Sequence, residues 1–339
     1  QMPMINVIEP GVQPTVQDLG RPMHQINGFP ASGAMDQTAL QVANLLVGNS
    51  PYAAALEFSL TGPTLRFMAT TFIALTGAEF NAQLNGQPVK GYRCVQVHTG
   101  DILKIGPAIR GRIGYLAVAG GLHLPLVLDS RSTTLRLKLG GMDGRALVSG
   151  DRLPIEAKPT LVSYYHRHAP MPELPDLKTP VKISVLKGPQ WEKFDEKDHE
   201  RFLSGTYTVT NQSDRMGYRL KGDAMQTKQE SMLSAATVMG GLQVPANGEP
   251  IVLMADRQTT GGYPLLAVVA TADLSKLVQC RPKQQIKFEL IELNAAQELL
   301  KQQQQNLKEL RHRIKMARYQ MPYGITREAS QRIQRLFKE

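Results

Sequence analysis

A chain of 339 residues that is 42% hydrophobic, with 29 glycines, 22 prolines and a formal net charge of +10, has material for about two packed domains rich in turns. Cys94 and Cys280 lie far apart with no CxxC spacing, which excludes a disulfide framework or cysteine zinc site and leaves two buried structural thiols. The positive charge sits mostly at one end, where residues 294–339 hold ten Lys/Arg against four Glu. No RNP-like, zinc-finger or helix-turn-helix pattern goes with it, so nucleic acid is not expected as a partner.

The opening QMPMINVIEPG lacks the basic start and apolar run of a signal peptide. The longest apolar stretch, residues 115–128, is broken by Gly120-Gly121 and His123 and falls short of the roughly 20 residues that span a bilayer. A soluble, cytoplasmic protein with no membrane partner is expected.

Residues 5–8 read as a short strand. Residues 11–36, GVQPTVQDLGRPMHQINGFPASGAMD, are too long for a turn and too poor in periodic apolar residues for a helix or strand. Four glycines and three prolines fix its turns and leave Gln17, Asp18, Arg21, His24, Ser32 and Asp36 as projecting polar groups. An ordered loop lining a site is the expectation. Residues 37–47 carry helical apolar spacing, with Asp36 as N-cap and Gly48 as stop.

Short strands then recur at the spacing of an all-β sandwich or barrel: AALEFSL, PTLRFMA, TFIALTG, FNAQLNG, RCVQVHTG, DILKIG and IGYLAVAGG. Asn85-Gly86 is a two-residue hairpin turn. A polar loop at 129–151 brings Arg131, Ser132, Thr133 and Arg136 close together. These elements make a first β-rich unit, residues 1–157, with one helix. Residues 158–180 carry five prolines and read as a linker; His166 and His168 within it lack a third ligand, so no metal is expected. A second β-rich unit, 181–292, includes a short helix at 191–203. A basic helical tail, 293–339, follows, with Ala296, Leu299, Leu300, Leu307, Leu310 and Ile314 on one stripe.

The chain contains no GxxxxGK[ST] phosphate loop, GxGxxG, HExxH or GxSxG, and no Ala-Met-Lys-Met biotin attachment sequence. What remains is polar, glycine-rich loops. In ADRQTTGGYP (255–264), Asp256, Arg257, Gln258, Thr259, Thr260 and Tyr263 cluster at one end of a hairpin. Gly261-Gly262 beside them would let backbone N–H groups form an anion nest. In SDRMGYR (213–219), Arg215 and Arg219 are placed to grip a carboxylate or phosphate.

At these residues the chain resembles the biotin-dependent carboxyltransferase family. The series TVQDLGRP…G.P.SGAMD…AN.LVGN…LE…GP.L.F, then SRST, DRMGYRL and PIVLMADRQTTGGYP…A.V…DL carries the resemblance, from residue 7 to about residue 291. That family includes the C-type subunits of 5-oxoprolinases (also called allophanate hydrolase subunit 2 or KipA-like proteins) and part of the urea carboxylase carboxyltransferase domain. The resemblance implies a mainly β fold of two tandem cyclophilin-like β-barrels with short helices, followed by the C-terminal helical extension. It also implies a hetero-oligomer with a homologous B-like protein and an A-like protein, hydrolysing 5-oxoproline to glutamate. ATP is then required at the level of the complex, and no covalent biotin is carried on this chain.

Within that frame, Gln17, Asp18, Asp256, Gln258, Thr259 and Thr260 form the expected catalytic set around a small amide substrate. Arg21, Ser32, Arg131, Ser132, Arg215, Arg219, Gly261, Gly262 and Tyr263 are the expected substrate- or anion-binding set. Two alternatives stand beside this reading: a carboxyltransferase half acting on urea with a biotinylated partner, and a KipA-like non-enzymatic regulator of a kinase inhibitor. The site reading requires residues 17–36, 131–136, 213–219 and 256–263 to meet around one cavity.

Overall fold

The computed structural model describes residues 2–156, 167–227 and 232–317. His166 and the helix expected at 327–337 lie outside them. The first unit contains β1 (Met4–Glu9), β2 (Thr15–Gln17), α1 (Gln37–Leu46), β3 (Ala55–Ser59), β4 (Thr61–Phe67), β5 (Thr71–Phe80), β6 (Gln83–Leu84), β7 (Gln87–Pro88), β8 (Cys94–Val97), β9 (Ile102–Val118) and β10 (Arg152–Pro154). Ten strands form one bent antiparallel sheet around β9. The sequence suggests two strands, DILKIG and IGYLAVAGG, but they are one strand of seventeen residues. Gly106 and Gly111, both at positive φ, bend it instead of ending it. It carries β4 and β6 across its first half and β3 and β5 across its second.

The second unit contains β11 (Val181–Lys187), α2 (Glu196–Ser204), β12 (Tyr207–Ser213), β13 (Gly217–Lys221), β14 (Ala235–Ala236), β15 (Gly241–Gln243), β16 (Ile251–Leu253), β17 (Thr260–Gly261), β18 (Leu265–Val269), α3 (Leu274–Val278) and β19 (Gln285–Leu290). Seven strands close into a barrel in the order β11-β18-β15-β16-β13-β12-β19, sealed by the parallel pair β11–β19. Strand alternation sends Ile183, Val209, Tyr218, Leu242, Val252 and Ile286 inward. It leaves Arg219, Gln243 and Ile251 on the outer face. The helix expected over 191–203 is a 3-10 turn at Trp191–Lys193 followed by α2, whose N-cap Asp195 accepts the Asp198 N–H. The two-residue strands β14 and β17 pair as a separate ribbon, and Gly261 of that ribbon backs directly onto Gln243 of the barrel wall.

One hydrophobic core runs through both units, from Leu40, Phe72 and Tyr115 to Val185, Tyr218 and Val252. α1 is its hinge piece, packed on β5 and β9 of its own unit and reaching α3 and α4 (Leu293–Ala317) of the other. Asp36 is the α1 cap, as its position suggests, accepting the Ala39 N–H at 3.0 Å. It also accepts Ser275 Oγ at 2.8 Å and Gln279 Nε2 at 2.9 Å, so the cap ties the units together. The described part of the proline-bearing segment is pinned to both: Cys94 N–H donates to Arg167 O, and Leu177 N–H to Gln284 Oε1. Only the distal part of the apolar stripe on α4 packs fully. Leu310 and Ile314 are buried, while Leu299 is exposed. Among the described residues no helix is long and apolar enough to cross a membrane.

Candidate functional site

The loop of residues 11–36 is ordered because it doubles back on itself. Gly20 and Gly33 stack backbone on backbone, both with φ near +85°, and a Cβ on Gly33 would lie 2.7 Å from Gly20 N. Only glycine allows that approach. The loop is then riveted to the 130–134 segment. The Asp18 carboxylate accepts Ser130 Oγ (2.6 Å), Ser132 Oγ (2.7 Å), Gly20 N–H (2.8 Å) and Arg131 N–H (2.7 Å). Gln17 donates to Thr133 O and Thr15 Oγ1 and accepts Gly33 N–H. Arg21 donates to Val127 O, Thr134 Oγ1 and Ser132 O. Burial lowers its pKa, and Asp18 and Asp256 offset part of that. Ser32, at φ 50°, shares a 2.7 Å hydrogen bond with Thr134 Oγ1, and its N–H donates to Ala255 O in the second unit. Arg131 Nε is held by Leu124 O.

Arg215 is the centre of the junction. Its Nε and Nη2 donate to the two oxygens of Asp256 at 2.9 and 3.0 Å, Nη2 also donates to Gly33 O, and Nη1 donates to Glu57 Oε1 at 2.5 Å. Burial opposes the charge, but Asp256 and Glu57 outweigh it and raise the guanidinium pKa. Glu57 Oε2 in turn accepts Tyr115 Oη (2.6 Å) and Met35 N–H (2.9 Å). Burial, then Glu57 and Asp36, holds the Tyr115 phenol well above its usual range, so it remains a donor.

In front of this knot lies a cavity of about 900 Å³ between the outer barrel face and the β14–β17 ribbon. Arg219, Gln258, Thr260, Gly261 and Tyr263 line it, together with Arg257. Thus the four segments do converge, but they do not share one open space. Parts of 213–219 and 256–263 line the cavity, whereas none of 131–136 does. Residues 17–36 reach it through Gln25, which donates to Thr237 O and accepts Arg257 Nη2. The expected nest at Gly261-Gly262 is absent: Gly261 is a strand residue paired with Ala235, and neither glycine has the left-handed φ such a concavity requires. Gly262 O accepts Met232 N–H, and Thr259 O accepts Thr237 N–H.

Sequence reasoning assigns no role to Glu57, Tyr115 or Gln279. Glu57 sits in a strand that reads as plain β3, and only its burial beside Arg215 distinguishes it. Arg257 is legible as part of the 255–264 cluster, but not as an arginine left without a carboxylate.

The carboxyltransferase domain model, subdomain A and B, matches residues 27–290. The chain belongs to that family. It is 40% identical to the C-type 5-oxoprolinase subunit of Haemophilus influenzae over 309 residues, covering 91% of this chain and 98% of that protein. The corresponding 5-oxoprolinase subunit of Escherichia coli is 39% identical over 92% of this chain and 99% of its own length. The urea amidolyase of Lachancea kluyveri is 34% identical, but the chain spans 17% of it. Among solved structures, the K. lactis urea amidolyase superposes with a TM-score of 0.82 at 30% identity, covering 91% of this chain and 20% of that one. The family's carboxyltransferase fold is therefore the mainly β, two-unit architecture described above.

Proposed function

We propose that this chain is the C-type subunit of an ATP-dependent 5-oxoprolinase that opens 5-oxoproline to glutamate beside B-like and A-like partners. The observation that carries this reading is near-complete coverage of two C-type 5-oxoprolinase subunits at about 40% identity. Hydrolysis of the lactam breaks its C–N bond and adds water across it. The amide carbonyl is unreactive, and ATP at the level of the complex supplies its activation. The described lining of the cavity is strand and turn, without a helix N-terminus of the kind that receives phosphates. No nucleotide step is therefore assigned to residues of this chain.

In this reading the junction is scaffolding. Asp18, Gln17, Arg215 and Asp256 have their polar atoms engaged with one another's segments and hold the cavity wall still, which is what positions reacting groups. Gln258, Thr260, Arg219 and Tyr263 present side chains toward the substrate, completed by the B-like partner. The test is reconstitution with the A- and B-like proteins, reading glutamate release from 5-oxoproline. The expected activity requires ATP and ignores avidin. The urea amidolyase likeness favours one rival, a carboxyltransferase half with a biotinylated partner, for which avidin would abolish turnover of urea and 5-oxoproline would be inert.

A further inference from the structure

The cavity contains a charge that no described residue neutralises directly. Arg257 is 93% buried, at 7% relative exposure. Of its five donors, one meets Met254 O at 3.3 Å and one meets Gln25 Oε1 at 3.1 Å. Its Nε has no acceptor among the described residues. The adjacent carboxylate, Asp256, has both oxygens engaged by the Nε–Nη2 edge of Arg215. The acid on the lining, Asp214, accepts Met216 and Gly217 N–H groups in its own turn. A buried guanidinium held only by neutral acceptors is costly, and its lowered pKa has burial as the leading cause. Arg112 also has an unpartnered Nε, but it lies under the Tyr218 ring, holds Ser213 O and is not part of this lining. Arg21 has a carbonyl or hydroxyl acceptor on each of its three nitrogens and is not part of this lining. Among these buried arginines, Arg257 combines burial, free donors and a wall position.

We propose that Arg257 seats the carboxylate of a small ligand in the cavity under the β14–β17 ribbon, with Arg219 on β13 closing over its open side. Arg257 and Arg219 against the one lining carboxylate, Asp214, leave a single positive charge in excess beside neutral Gln243, Gln258 and Thr260, which matches a monoanion, and an arginine fork grips a carboxylate bidentately. Gly261 and Gly217 lie close against two other lining residues, Gln243 and Ile251. A Cβ on Gly261 would lie 2.7 Å from Gln243 Nε2, and one on Gly217 2.9 Å from Ile251 Cγ2. The choice of probe rests on the 5-oxoprolinase reading. 5-Oxoproline carries such a carboxylate and urea does not, so the site selects between those substrate classes.

The experiment compares 5-oxoproline with 2-pyrrolidinone, the same lactam without the carboxylate, in calorimetric binding to the reconstituted complex without ATP. The expected result is that the native complex prefers 5-oxoproline by at least tenfold. Arg257→Met should erase the preference, leaving pyrrolidinone unchanged; Arg219→Ala should reduce it several-fold. Equal binding of both lactams by the native complex overturns the proposal, and so does an Arg257→Met variant that weakens both by the same factor. Should Arg257→Met fail to melt cooperatively, the native comparison and Arg219→Ala decide alone. Phosphate competing at Arg257 more strongly than 5-oxoproline also overturns it. The two readings separate cleanly. Turnover of 5-oxoproline with unchanged KM in Arg257→Met keeps the function and removes the site, whereas Arg257-dependent binding of glutarate without any 5-oxoproline turnover keeps the site and removes the function.

Discussion

At the scale of single residues, the arginine at 215 decides the junction. Its charge is enclosed between Asp256 and Glu57, and removing one partner of a buried pair costs about 3–5 kcal/mol because the survivor is left uncompensated. Glu57→Gln keeps the shape, halves the countercharge and turns one of two accepting oxygens into a donor amide. We expect a loss of about 3 kcal/mol, measured as a lower urea midpoint with an unchanged slope. A second residue predicts a pH dependence. Asp198 is buried at the start of α2; burial raises its pKa, but hydrogen bonds from Thr227 and Gln226 and the charge of Arg201 more than reverse that. A carboxyl depressed in the folded state stabilises above its unfolded pKa of about 3.9 and loses that contribution as pH falls towards the folded value. The stability gap between the native protein and Asp198→Asn is therefore expected to be full at pH 7 and to close below about pH 4.

What each polar side chain does was the least legible feature of the sequence. Asp18, Arg215 and Asp256 stand out as chemistry-bearing residues in unusual loops, but their partners lie 112, 158 and 41 positions away. Whether a carboxylate is free or saturated is fixed by tertiary packing, to which local pattern is blind.

Among elements, the long strand β9 carries the most consequence. Glycine and proline at 106–107 and glycine at 111 are the punctuation that normally separates strands, which is why one strand reads as two. Packing on four neighbours overrides that signal. Gly111 sits at φ 76°, and a Cβ there would approach Gln279 Oε1 to 3.0 Å and Ala78 Cβ to 3.1 Å. Gln279 Oε1 accepts the N–H groups of Arg112 and Ile113, so the added methyl strains both backbone and junction. Gly111→Ala is expected to cost about 2 kcal/mol, seen as a lowered thermal midpoint. Most strands, the cap at Asp36 and the Asn85-Gly86 turn were legible, since each is a local signal; β2, a strand of three residues inside the segment 11–36 that reads as loop, was not. The parallel closure of β11 on β19 was not, because about a hundred residues separate partners such as Val181 and Ile286 and no short-range pattern encodes that pairing.

Considered whole, the molecule has two units by strand topology but one interior. The core through α1, Tyr115, Tyr218 and Val252 is continuous, and Asp36, Gln279, Arg112 and Arg215 bridge it with polar contacts. Calorimetry is expected to show one unfolding transition whose van't Hoff and calorimetric enthalpies agree. Two resolved transitions would show that the shared interior does not couple the halves.

The double grip on Arg215 also bears on how the chain can be cut. Separate polypeptides divided between the units would each expose half of a charge pair and half of an oily seam, so neither should be well behaved alone. Mixed, they should find one another as a specific heterodimer. Replacing Glu57 with glutamine should weaken that complementation far more than any substitution on the outer barrel wall.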